Sequence, residues 1–134
     1  MQQPLKNEKA YRYLFLIAAL YDLVLGLIFF IFLGYFFENI FKMPYPLYPG
    51  FFRGAAAFVI VMGIGFYYVY RNMYQNTDIV KMGIIFKIVY TGLALYHVFF
   101  ENIPWIFSVF GFLDIIFIVF FIFFLRAIKR EAQG

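Results

Sequence analysis

A chain of 134 residues that is 66% hydrophobic, 26% aromatic and only 13% charged is excluded from the ordinary soluble class, which runs about 45–50% apolar and about 25% charged. So much apolar surface asks for lipid as its solvent, and the length suits a single domain over residues 1–134. The formal charge of +4 gathers at the ends of apolar runs, where it suits anionic headgroups rather than nucleic acid; with no cysteine, disulfides and thiolate metal sites are excluded.

Lys6, Lys9 and Arg12 lead into the first apolar run, Tyr13 to Phe37. That run is too long for a signal-peptide core and has no small-residue cleavage site before its polar exit, so it is expected to stay in the chain as a span. The next runs are Phe51 to Tyr70, Ile79 to Phe100 and Ile103 to Leu125. Each reaches the ~20 residues that a helix needs to cross a ~30 Å hydrocarbon core. None shows the alternation of a barrel strand. The expected fold is all-α: a compact bundle of four transmembrane helices over about 10–37, 51–72, 78–101 and 103–129.

The connections carry turn chemistry. Pro44, Pro46, Pro49 and Gly50 close the first, because proline stops a helix and glycine permits a turn. The second runs from Arg71 to Asp78, with Thr77 or Asp78 as the expected cap of the third helix. The third is the short Glu101-Asn102-Ile103-Pro104, with Pro104 suited to a first helical turn. Helices three and four are thus expected as an antiparallel hairpin.

Basic residues sort by side. Eight (Lys6, Lys9, Arg12, Arg71, Lys81, Arg126, Lys129, Arg130) fall on the side of the termini, against two (Lys42, Arg53) on the other. The positive-inside rule then places both termini in the cytoplasm. The layout resembles that of several families of small bacterial membrane proteins, with no motif matched residue by residue. A bacterial inner (cytoplasmic) membrane is the expected location.

Three ionisable residues interrupt the spans: Asp22, Lys87 and Asp114. A charge at the bilayer centre costs about 2.5–3.5 kcal/mol on insertion scales, so such groups face the bundle interior, pair, or line a polar path. At a rise of about 1.5 Å per residue, Asp22 lies roughly 15 Å past Arg12, Asp114 roughly 18 Å before Arg126, and Lys87 roughly 12 Å past Ile79. One shared layer is expected. Faces agree with depths: Ala18, Asp22 and Gly26 share a stripe, as do Gly83, Lys87, Thr91 and Ala94, and Ser108, Gly111 and Asp114. Small residues let helices approach. The large side chains, including the Phe120-Phe121 and Phe123-Phe124 pairs, are left for lipid. With two carboxylates and one ammonium, the layer carries a formal −1. It serves either as a packing determinant that makes wrong pairings costly or as a proton- or cation-handling site.

On the outer side, Glu38, Arg53, His97 and Glu101 are candidates for a polar vestibule, with Arg53 pairing to Glu38 or Glu101. Tyr90 and Thr91 are candidate ligand contacts between the vestibule and the layer. His97 and Glu101 at i, i+4 suit a helix-end hydrogen bond better than a metal, since one histidine supplies too few ligands. No metal, cofactor or catalytic residue is expected, because no phosphate-binding, zinc-protease or nucleophile-elbow motif occurs. Function classes therefore rank as follows: an accessory or self-associating interaction protein within a homo-oligomer or larger membrane complex; an oligomeric proton or ion transporter using Asp22, Lys87 and Asp114; and a membrane-embedded enzyme or binder of a lipid or quinone.

Overall fold

In the computed structural model, residues 5–101 and 105–133 are described. Four helices among them are long and apolar enough to cross a membrane: α1 (Glu8–Ile31), α2 (Pro49–Arg71), α3 (Thr77–Glu101) and α4 (Ile106–Gln133). No strand occurs among the described residues. The chain is a four-helix membrane bundle.

α1 and α2 form the tighter hairpin, and small residues are the reason. Gly26 sits against Ala56 and Ile60, and Gly63 against Ala19 and Leu23, each so close that an added Cβ would fall within 3.1 Å of neighbouring backbone. α3 and α4 pair along a second seam where Thr91 and Leu95 meet Gly111. At the end that carries both termini, Phe15, Phe66, Val80, Phe121 and Phe124 are fully buried and join the hairpins into one core. A Cβ on Gly83 would strike the Phe66 ring there. Toward the opposite end the four helices enclose a cavity that all of them line; Gly54 and Gly92 are exposed, with no neighbour within 4 Å of an added Cβ.

The first span departs from expectation. α1 stops at Ile31, one helical turn follows at Leu33–Tyr35, and Phe36–Ile40 winds as a π-helix. Its wider i→i+5 turn is seen in the Phe41 amide donating to the Phe36 carbonyl at 2.8 Å. The change of winding buries Leu33, Phe37 and Phe41 on one line, against Phe29 and Phe107. Lys42 then takes φ 55°, left-handed backbone on a non-glycine residue, and the chain turns into the proline loop.

Two further expectations need correction. Asn76, rather than Thr77 or Asp78, occupies the position before α3: its carbonyl accepts from the Ile79 and Val80 amides. Its side-chain amide donates back to the Tyr68 and Asn72 carbonyls at the end of α2, so one residue caps two helices. Asp78 instead pairs with Lys81 on the surface. Secondly, only half of the Phe doublets face outward. Phe121 and Phe124 are fully buried, while Phe120 and Phe123 are 46% and 49% exposed, because residues three apart share a helix face and adjacent ones do not. Residues 102–104, with the expected first-turn Pro104, lie outside the described residues.

Candidate functional site

The site forms where the packed and open halves of the bundle meet. Lys87 projects from the buried stripe of α3 and is 0% exposed. Its Nζ donates to Asp114 Oδ1 on α4 at 2.8 Å and to Asp22 Oδ1 on α1 at 3.4 Å. The three charges placed at one depth by residue counting are therefore in direct contact. Three rings complete the surroundings of the ammonium, with centroids 5.4 Å away for Tyr21, 5.5 Å for Phe66 and 5.0 Å for Phe117. A ring face at such a distance attracts a cation through its quadrupole. The lysine is thus held in an apolar interior by two carboxylates and an aromatic cage.

The carboxylates are not saturated by it. Asp22 Oδ2 is buried and has no hydrogen-bond partner among the described residues, and the same is true of Thr91 Oγ1 and the Tyr21 hydroxyl. Buried polar groups left without partners are costly. All three residues line one cavity of about 220 Å³ on the open side of the layer. Asp114 lines it as well, and its side chain is 16% exposed. Lys87 does not reach it. The remaining wall is apolar and aromatic, drawn from all four helices, with Phe29, Phe86, Tyr90 and Phe110 as its broad faces. Ala55, Ala56, Ala94 and Gly111 supply the room. On the other side of the layer the space is filled by the fully buried Phe15, Phe66 and Phe121.

Of the four vestibule candidates, only His97 and Glu101 are joined by a hydrogen bond or ion pair among the described residues. Arg53 donates to the Phe30 carbonyl and to the Tyr45 hydroxyl, both at 3.4 Å; among the described residues it makes no ion pair with Glu38 or Glu101. Tyr45, in the proline loop, meets the guanidinium instead, and Glu38 is exposed. His97 Nδ1 donates to Glu101 Oε2 at 2.7 Å on the exposed end of α3. Among the described residues no group of three metal-ligating side chains is brought together. Tyr90 and Thr91 both line the cavity.

Sequence reasoning missed Tyr21, Phe66 and Phe117. A faint signal existed for two of them. Tyr21 adjoins Asp22, and Phe117 is three residues past Asp114 on the same helix face. No known protein family, curated protein or solved structure matches this chain.

Proposed function

We propose that this chain is an integral membrane binding protein whose cavity takes an amphiphile from the bilayer, its polar head at the Asp22–Asp114 floor and its apolar body along the aromatic walls. One observation carries this: a single cavity joins an apolar wall to three residues, Tyr21, Asp22 and Thr91, each of which holds a buried polar atom without a partner among the described residues. Such pairing of apolar lining with a few convergent polar groups is what small-molecule sites look like. The volume of about 220 Å³ lies below the roughly 300–1,000 Å³ that encloses a drug-sized molecule. The ligand is therefore small, or it leaves part of an acyl tail in lipid between the hairpins. Presenting such a molecule to a larger membrane assembly would be an accessory role, in keeping with the small size and thin loops. Conduction has less support, since packed phenylalanines continue directly below the layer.

Ala94→Phe tests the reading by filling the cavity from α3. Purified in uncharged maltoside micelles, the native chain should gain thermal stability in the presence of octanol, octylamine or another short-chain amphiphile, as any ligand of the folded state confers. The variant should fold and gain none. Equal gains in both proteins would mean that the amphiphile acts on the micelle and not in the cavity.

A further inference from the structure

We propose that the head group this cavity receives is an ammonium: a protonated amine carried on an apolar body. The inference deepens the binding reading above and rests on it.

Charge comes first. Asp22, Asp114 and Lys87 sum to −1 when ionised, in a layer sealed on one side by fully buried aromatic side chains. An unbalanced charge in an apolar interior is strongly disfavoured, so a positive partner is the complement that the layer lacks. Geometry comes next. The lysine occupies Asp114 Oδ1 at 2.8 Å and reaches Asp22 Oδ1 only at 3.4 Å. Asp22 Oδ2 remains without a partner although Asp22 is 2% exposed and lines the cavity. A carboxylate oxygen is an acceptor only. It calls for a donor, and a charged donor gives the stronger bond. Thr91 also lines the cavity, and its Oγ1, likewise buried and without a partner among the described residues, is a second potential acceptor.

The donor set separates one cation from another. A bare metal ion needs about six oxygens at short range, whereas this floor offers two carboxylates and a hydroxyl among phenyl rings. An ammonium needs only up to three acceptors and gains from ring faces that a strongly hydrated metal ion would shed water to approach. The molecule already holds one ammonium on these terms: Lys87 sits between the same two carboxylates, with Tyr21 among its rings. Tyr21 also lines the cavity, so a ligand ammonium would enter from the open side a polar setting that the lysine uses from the closed side. An anionic head is excluded by the same floor, because it would face two carboxylates with Lys87 turned away.

The test compares three probes of one chain length, octylamine, octanol and octanoate, on the full chain in uncharged micelles. Circular dichroism gives the thermal midpoint, and the dose dependence gives apparent affinity. Octylamine should bind tighter than octanol by about tenfold, the worth of one charge-assisted hydrogen bond. Octanoate should give no shift. Asp22→Asn should erase the preference for the amine, read as the ratio of the octylamine and octanol affinities within the variant; the Asp114–Lys87 pair remains and the layer becomes neutral. If that variant fails to fold, the comparison of the three probes on the native chain decides alone. Equal binding of amine and alcohol, or a preference for octanoate, would overturn the ammonium assignment and leave the amphiphile site standing. Failure of all three to bind, measured against Ala94→Phe, would overturn both.

Discussion

Lys87 holds its two carboxylates unequally, and that inequality has energetic consequences. The Asp114 contact at 2.8 Å is a full charge-assisted bond, while the Asp22 contact at 3.4 Å is at the limit of one. Removing the lysine leaves two carboxylates facing each other in an apolar interior. Lys87→Met should cost about 3–5 kcal/mol, the range for breaking a buried pair by deleting one partner. Asp114→Asn should cost more than Asp22→Asn: either change brings the layer to neutrality, but the first weakens the 2.8 Å contact with the lysine and the second only the 3.4 Å one. The double variant Lys87→Met with Asp114→Asn should be less damaging than the two single losses added together, by more than about 1 kcal/mol, as coupled neighbours are. Reversible unfolding in a dodecyl sulfate titration measures all four proteins. An Asp22→Asn loss larger than that of Asp114→Asn would contradict the arrangement. The charged members of this site were legible in the sequence because charges in apolar runs are rare and their depth can be counted. Thr91 was legible from the small-residue stripe of α3. Tyr21, Phe66 and Phe117 were not: in a chain with 22 phenylalanines and 12 tyrosines, no local pattern tells a ring that cages a cation from one that faces lipid. The partners of Arg53, the Phe30 carbonyl and the Tyr45 hydroxyl in place of Glu38 or Glu101, were not legible for a related reason, since a long arginine can reach several partners and the backbone between them decides which.

At the scale of elements, glycines divide into two groups that look alike in sequence. Gly26 and Gly63 lie in the α1–α2 seam, where a methyl group would come within 2.7 Å and 2.8 Å of side-chain carbons and within 3.1 Å of backbone that cannot swing aside. Gly54 and Gly92 face open space. Gly26→Ala and Gly63→Ala should each destabilise by about 1–3 kcal/mol through overpacking, whereas Gly54→Ala and Gly92→Ala should be neutral or gain up to about 1 kcal/mol from helix propensity. Thermal unfolding of the four purified variants checks this; loss of stability at Gly92 would mean that the open half is closed by something outside the chain. Lys42 offers a third comparison. With φ 55° on an exposed residue, Lys42→Gly should be stabilising by about 1 kcal/mol. Four spans and their hairpin order were readable from run length and turn residues. The π-helical end of the first span was not, because no proline marks it: its cause is tertiary, the burial of Leu33, Phe37 and Phe41 against Phe29 and Phe107. The Phe doublets were misjudged for want of one helical turn of bookkeeping, since the faces of α4 alternate within each pair.

For the whole molecule, the two halves of the bundle are built to different densities, and orientation decides what that difference does. The end with both termini is closed by a continuous aromatic core, and the cavity lies toward the proline loop. The same asymmetry runs through the charges: eight of the basic residues lie at the closed end and two at the open one. If the positive-inside rule governs insertion, the closed end is cytoplasmic and the cavity communicates with the outer leaflet. A ligand would then be drawn from that leaflet, and a protonated amine would reach the carboxylates without crossing the bilayer. The chain has no cysteine, so single introduced cysteines report on topology without background. Tyr48→Cys in the proline loop and Gln75→Cys in the α2–α3 connection are both at exposed positions. In intact cells a membrane-impermeant maleimide should label the first and spare the second until the cells are opened. The reverse pattern would place the cavity in the cytoplasmic leaflet and the source of its ligand with it. Labelling of both in intact cells would break the pairing of the two connections on opposite sides that four spanning helices require.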